Sequence, residues 1–81
     1  MKHGREDYNK RIQDSANIIS EDEPVFLLRG QDVLAPVIIR EWADRLIHNK
    51  GSKEMAKMAR KHADEMEEWQ LTRAKKVSDL P

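Results

Sequence analysis

The sequence predicts a mainly α-helical fold, an antiparallel helical hairpin preceded by a short extended segment and stabilised by oligomerisation. One observation is an apolar island from Pro24 to Ile39, set in a chain of which 37% is charged. Another is that two stretches with helical apolar spacing follow Asp32 and are joined by a short turn around Gly51. The third is size, because 81 residues without cysteine leave little room for a core.

The chain divides into a polar N-terminal segment, 1–23, and a helical hairpin domain, 24–81. A thin apolar stripe runs through the first segment at spacings of four, four and three: Tyr8, Ile12, Ala16 and Ile19. This spacing is compatible with a helix from about Glu6 to Ile18, but a helix so short is marginal in water. A docked short helix and a flexible tail remain alternatives.

The start of the island, Val25 to Arg29, is a candidate β-strand closed by Gly30. A single strand leaves its backbone groups unpaired. We therefore expect it to pair with another strand, which a second copy of the chain can supply, or to lie across the helices as an extended arm. Asp32 is placed to cap the helix that follows, and Pro36 fits its first turn.

The first helix is predicted from about Val33 to Asn49. Its broad apolar face consists of a main stripe and an adjoining strip: Leu34, Ile38, Trp42 and Leu46, then Ala35, Ile39, Ala43 and Ile47. A face this wide can contact two neighbours. The segment from Asn49 to Ser52 is predicted to end this helix, to form a turn at Gly51 and to cap the next helix with Ser52.

The second helix is predicted from about Lys53 to Lys76, with a frayed tail from Val77 to Pro81. Its stripe is Met55, Ala56, Ala59, Ala63, Met66 and Trp69. The small alanines allow a neighbouring helix to approach closely.

Composition bounds the partners. With 38% hydrophobic residues, a domain of this length needs additional stabilisation, and without cysteine self-association is the expected source. No apolar run is long enough for a membrane helix, and the N-terminus is polar. The expected location is the cytoplasm, without a membrane partner. A net charge of zero argues against nucleic acid.

Catalytic and metal-binding signatures are absent from the pattern. Asp44 with His48, and His62 with Glu65, each supply only two neighbouring ligands, whereas zinc sites use three or four. No nucleophile context and no phosphate loop occurs. We expect a protein that is not an enzyme and has no catalytic, metal or cofactor residues.

The charge pattern at the start of the second helix points to a partner. Its basic residues are Lys53, Lys57, Arg60 and Lys61. Lysines four residues apart repel, and cations are unfavourable near a helix N-terminus. One hypothesis is a contact face for an acidic protein surface or phosphate. The other is a solvated face, relieved by pairs from Arg60 to Asp64 and from Lys61 to Glu65.

Two tryptophans, Trp42 and Trp69, also have two interpretations. Both fall on the predicted inward stripes, which favours core packing. The alternative is a stacking wall for a nucleotide at an oligomer interface, with phosphate contacts from Arg29, Arg40 or Arg45.

Finally, the segments Glu23 to Asp32, Leu34-Ala35-Pro36, Trp42-Ala43-Asp44 and Met66-Glu67-Glu68-Trp69 resemble a group of small uncharacterised proteins encoded by tailed phages and prophages. The resemblance covers about 23–70 and implies a phage accessory protein acting in a bacterial cytoplasm. By analogy with that class, the chain is expected to bind and block a host defence component as a homo-oligomer. A sponge for a nucleotide messenger and a structural or regulatory role are the alternatives.

Overall fold

A computed structural model describes residues 1–73 of the chain. Its elements in chain order are β1 (Lys2–His3), α1 (Tyr8–Arg11), β2 (Pro24–Val25), α2 (Ala35–His48) and α3 (Lys53–Thr72). Helices α2 and α3 contact each other along their length and form the predicted hairpin. Helix α3 ends at Thr72, because the backbone of Arg73 is extended, with φ of −133° and ψ of 166°. The predicted helix end at Lys76 and the predicted frayed tail from Val77 to Pro81 lie outside the described residues.

The start of α2 is set by a turn at Asp32. Its carboxylate Oδ1 accepts a hydrogen bond from the backbone N–H of Leu34 at 2.8 Å, and its carbonyl accepts one from Ala35 at 3.0 Å. Leu34 is the N-cap residue and provides no side-chain cap, so the helix begins two residues later than predicted. Pro36 lies in the first turn as expected, where no intrahelical bond needs its missing N–H.

The turn between α2 and α3 is closed by backbone hydrogen bonds. The N–H of Gly51 donates to the carbonyl of Leu46 at 2.7 Å, and the N–H of Lys50 donates to Ile47 at 2.9 Å. This is the Schellman arrangement, and its left-handed residue is Lys50, with φ of 60°, rather than the glycine. Ser52 then caps α3 by accepting a hydrogen bond from the N–H of Met55 at 3.1 Å.

The hairpin core is made of small side chains. Ala43 of α2 packs with Ala56 and Ala59 of α3, and partly buried Ile39, Leu46 and Ile47 surround them. The adjoining strip of α2, which includes Ile39, Ala43 and Ile47, is therefore the one that packs against α3. The main stripe is wrong as a core prediction for Leu34, Ile38 and Trp42, which are 48% to 51% exposed. The stripe predicted on α3 is wrong in the same way for Met55 and Trp69, which are 48% and 40% exposed. The small alanine side chains on α3 allow the two helices to approach closely. The large side chains of the main stripe on α2 then lie beside the helix contact instead of within it.

The N-terminal segment forms a small unit of its own. Strand β1 pairs in parallel with β2, so the extended segment finds its partner within the same chain. Strand β2 is Pro24–Val25, so Val25 is the single residue of the predicted stretch that lies in a strand, and Phe26 is exposed. Tyr8 is the buried centre of the unit, with the Arg5 guanidinium 4.7 Å from its ring centroid.

The predicted helix from Glu6 to Ile18 is mostly wrong, because α1 has four residues. Ile12 leaves the helical region with φ of −125° and ψ of 111°. Asp14 then accepts a hydrogen bond from the N–H of Ile19 at 2.6 Å, and Asn17 adopts a positive φ. Asp and Asn compete with helical backbone bonds in this way, which ends the helix early.

The N-terminal unit and the hairpin are joined by the chain and not by contacts between their elements. Among the described elements, Cα atoms within 8 Å of each other occur only between α2 and α3, β1 and β2, and α1 and β1. No helix within the described part of the chain is both long and apolar enough to cross a membrane.

Candidate functional site

The first candidate surface is a row of lysines on α3, Lys53, Lys57 and Lys61, which we call the basic ridge. All three side chains are exposed and have no hydrogen bond or ion pair within residues 1–73. Lys57 and Lys61 are each two residues from Ala59, about half a turn around the helix. Since Ala59 faces α2, the ridge points away from the hairpin contact.

The fourth predicted basic residue, Arg60, does not belong to the ridge. Its Nη2 donates to Oδ1 of Asp44 on α2 at 2.8 Å. The predicted relief of the lysines by pairs within α3 is also wrong in its partners, since Asp64 pairs with Arg40 and Glu65 with His62. Asp64 and Glu65 are thus paired elsewhere, and Lys53, Lys57 and Lys61 have no ion-pair partner within residues 1–73.

Arg40 holds the two helices together on one side of the hairpin. Its Nη2 donates to Asp64 Oδ1 at 2.6 Å and its Nη1 donates to Glu67 Oε1. The hydrogen bond with Asp64, and next that with Glu67, raise the pKa of Arg40 above its usual range. Together with the pair from Asp44 to Arg60, this forms an ion-paired side of the hairpin.

The predicted nucleotide residues are only partly brought together. Arg40 is engaged on the ion-paired side, and Arg45 donates to Glu41 on the same helix at 3.0 Å. Trp42 contributes to neither group. Arg29 and Trp69, by contrast, line one shared cleft of about 320 Å³.

The cleft lies between the loop before α2 and the C-terminal half of α3. Its lining is Arg29, Gly30, Gln31, His62, Glu65, Met66 and Trp69. The amide of Gln70 fixes one wall, because its Nε2 donates to the carbonyls of Gly30 at 2.8 Å and Asp32 at 2.9 Å. The backbone of the loop is thus held against the helix.

Charge is uneven in this cleft. Arg29 is exposed and has no ion-pair partner within the described residues. The Arg73 guanidinium lies 5.7 Å from the Trp69 ring centroid, a cation–π distance. At the other wall, Nδ1 of His62 lies 3.3 Å from Glu65 Oε2. The site can offer a free guanidinium and an aromatic ring to a planar anion.

Five of the seven lining residues are not among the predicted ligand-binding residues: Gly30, Gln31, His62, Glu65 and Met66. The sequence places Met66 on the core stripe and His62 and Glu65 in a pair of possible metal ligands. Gln70 carried a usable signal, since it is a polar residue four positions after Met66, on the side of α3 that faces the rest of the chain. Such a residue commonly bonds to a backbone group.

Further polar clusters occur outside these surfaces. Within residues 1–73 no group of three or more His, Cys, Asp or Glu side chains could hold a metal ion. In the N-terminal unit, His3 Nε2 lies 2.9 Å from the Ile12 carbonyl, which makes Nε2 the donor. His3 Nδ1 and the Tyr8 hydroxyl are buried without a hydrogen-bond partner in this region.

The hairpin therefore has two candidate surfaces, the basic ridge on α3 and the cleft beside Trp69. Comparisons with protein-family models, with curated proteins and with solved structures found no match to this chain.

Proposed function

We propose that this chain is a non-enzymatic binding protein, a small accessory protein of the phage type that covers an acidic surface of a host protein in the bacterial cytoplasm as a homo-oligomer. The observation that supports this most directly is the basic ridge. Lys53, Lys57 and Lys61 are exposed and without ion-pair partners within the described part of the chain.

The arrangement of the three lysines is electrostatically unfavourable, and this supports a role for the basic ridge beyond solubility. Three lysines at intervals of four repel one another, and Lys53 lies in the first turn of α3, at the positive end of the helix dipole. The acidic residues that would relieve them, Asp64 and Glu65, are paired with Arg40 and His62. An acidic partner surface would supply the missing counter-charges and favour rapid association.

The test compares two triple variants in pull-down from bacterial lysate, with bound proteins quantified by mass spectrometry. Exchange of Lys53, Lys57 and Lys61 for glutamate should reduce capture of the partner at least tenfold. The matched control exchanges three other exposed lysines for glutamate, Lys2, Lys10 and Lys50, and changes the net charge equally.

The control variant should keep the partner, and capture by the wild type should fall as salt is raised. Equal loss in both variants would show that only net charge matters. Capture unaffected by the ridge substitutions would refute the proposed surface.

A second function, sequestration of a nucleotide messenger, is favoured by one specific observation, the shared cleft of Arg29 and Trp69. Its volume lies at the lower end of the range for small-ligand pockets. Stacking of a base on Trp69, with a phosphate on Arg29, is the arrangement this lining allows.

Isothermal titration with adenosine monophosphate as probe tests the second function. Arg29→Gln and Trp69→Leu should each weaken binding at least tenfold, and Arg45→Gln, which removes an arginine paired with Glu41, should not. Binding that is equal in all four proteins, or absent from the wild type, would rule out this site for the probe.

A further inference from the structure

One side of the hairpin carries large apolar side chains that nothing in the described chain covers. We call it the apolar flank, and its members are Ile38, Trp42, Met55, Met58 and Trp69. Each is 40% to 57% exposed. The same chain has alanines where a small domain would be expected to bury its large residues, since Ala35, Ala43, Ala56 and Ala63 are its fully buried side chains within residues 1–73.

Helical geometry puts these residues on a single side. Ile38 and Trp42 precede Arg40 and Asp44 by two residues, which is about half a turn. Arg40 and Asp44 are the α2 groups that bond to α3.

The same offset holds on α3. Met58 precedes Arg60 by two residues, and Trp69 follows Glu67 by two. Met55 precedes Asp64 by nine residues, which is two and a half turns. Ion pairs therefore close one side of the hairpin, and the apolar flank is the other.

We infer that a second copy of this chain covers the apolar flank, giving a two-fold symmetric dimer in which the two hairpins form a four-helix bundle. This rests on the self-association in the proposed function and adds the surface that carries it. The occupant is argued from area, charge and the content of the rest of the chain.

Area agrees with one side of a dimer interface. Each of the five side chains has a total surface of roughly 200 Å² and is about half exposed. Together they therefore expose about 500 Å² of apolar surface. A standard interface buries about 800 Å² per partner, of which about 65% is apolar in homodimers, or about 520 Å².

Charge selects the flank for self-pairing. A two-fold interface brings each residue close to its own copy, so a face of one sign repels itself. The basic ridge is such a face. The charged groups beside the flank are of both signs, with His62 Nδ1 3.3 Å from Glu65 Oε2 and with Arg29 and Arg73 next to Trp69, so the flank is not a face of one sign.

The remaining segment of the chain is a poor substitute for a second copy. Residues 74–81 contain Ala74, Val77, Leu80 and Pro81 as apolar residues. Four side chains of this size cannot cover five that include two tryptophans.

The experiment is sedimentation equilibrium of the full chain over a wide concentration range. The wild type should reach the mass of two 9.5 kDa chains. Trp42→Glu should raise the dimer dissociation constant at least about 100-fold, because the buried charge occurs twice in a symmetric interface. A monomeric wild type at all concentrations would overturn the inference.

The matched control is Leu71→Glu. Leu71 is more exposed than Trp42, at 83%, but it follows Glu67 by four residues and so lies on the ion-paired side. This variant should dimerise as the wild type does. Equal loss of the dimer in both variants, or retention in both, would overturn the assignment of the flank.

A second measurement does not depend on a disruptive substitution. The chain has two tryptophans, so Trp69→Phe leaves Trp42 as the sole indole. Its emission should shift to shorter wavelength with rising protein concentration, at the same midpoint as the mass. Emission that does not change with concentration would overturn the inference, whether Trp42 is then covered by 74–81 or free for another protein.

These outcomes separate the dimer from the proposed partner surface. The variant with Lys53, Lys57 and Lys61 exchanged for glutamate should lose the acidic partner and remain dimeric. Trp42→Glu should lose the dimer while each monomer retains its basic ridge. If either the partner capture or the dimerisation is not observed, the other can still be measured.

Discussion

At the scale of single residues, Arg40 makes two ion pairs from α2 to α3. Its guanidinium bonds to Asp64 and Glu67 on α3, so one side chain satisfies two carboxylates across the hairpin. Arg45 makes a pair within α2, to Glu41 four residues earlier. A pair within one helix stabilises that helix, whereas a pair across the hairpin also fixes the two helices relative to each other.

We expect Arg40→Met to destabilise the protein more than Arg45→Met, because it leaves two carboxylates without their shared cation. Urea unfolding at one fixed protein concentration measures both, since dimerisation would make stability depend on concentration. The difference should shrink at high salt, because exposed pairs are screened. Equal effects of the two substitutions would contradict the assigned role of Arg40.

At the scale of elements, the turn between α2 and α3 depends on Gly51 for space rather than for backbone freedom. The left-handed position is occupied by Lys50, and no described glycine has a positive φ. A Cβ at Gly51 would lie 2.7 Å from Leu46 Cγ and 3.0 Å from the Leu46 carbonyl oxygen. The side chain of Leu46 belongs to the shell around the alanine core, so the turn and the core share this contact.

Gly51→Ala should therefore destabilise the hairpin by about 1–3 kcal/mol, the usual range for overpacking. The control is Gly30→Ala, where the nearest atom to the added Cβ, Met66 Cγ, is 3.9 Å away. That substitution should change the free energy of unfolding by less than about 0.5 kcal/mol. Urea denaturation reports both, and a neutral Gly51→Ala would show that the Leu46 side chain moves aside freely.

At the scale of the whole molecule, the structure consists of two units whose helices and strands do not contact each other within the described elements. No strand or helix of the N-terminal unit comes within 8 Å, Cα to Cα, of α2 or α3 within the described elements. The N-terminal unit is organised around Tyr8, 3% exposed, and the short pair of strands. Units with separate small cores open separately in hydrogen exchange.

Tyr8→Ala should unfold the N-terminal unit and leave the hairpin folded, since removal of a buried aromatic ring costs about 3–5 kcal/mol. Amide hydrogen exchange measures both units in one experiment. Amides of Lys2–His3 should lose protection, while those of Ala43 and Ala59 keep theirs. Ile18→Ala, at a side chain 81% exposed, is the control and should change neither unit. Loss of hairpin protection in Tyr8→Ala would show that the units are coupled.

Prediction from the sequence succeeded where the signal is local. The helical hairpin, its short turn, the cap at Ser52 and the first-turn position of Pro36 were all correct, because each depends on residues within one or two turns. The N-terminal helix was overestimated for a related reason. A stripe of four apolar residues is a weak signal, and Asp14 and Asn17 bond locally in a way that stops the helix.

The candidate site was less accessible to prediction, because it depends on which residues of distant segments meet. Arg29 and Trp69 are forty residues apart in sequence, and only the loop held by Gln70 brings them to one cleft. Arg60 is one of the four basic residues predicted to contact a partner, but its side chain pairs with Asp44 on the other helix.

By itself, the sequence determined that the chain is helical, where its two main helices lie and that its core would be small. Periodicity, capping residues and composition carry that information locally. The tertiary structure decided which strip of α2 is buried, which strand pairs with which, and which charges are free. Those outcomes follow from how closely two alanine-lined helices approach, and that approach leaves Trp42 on an open side of the hairpin instead of in its core.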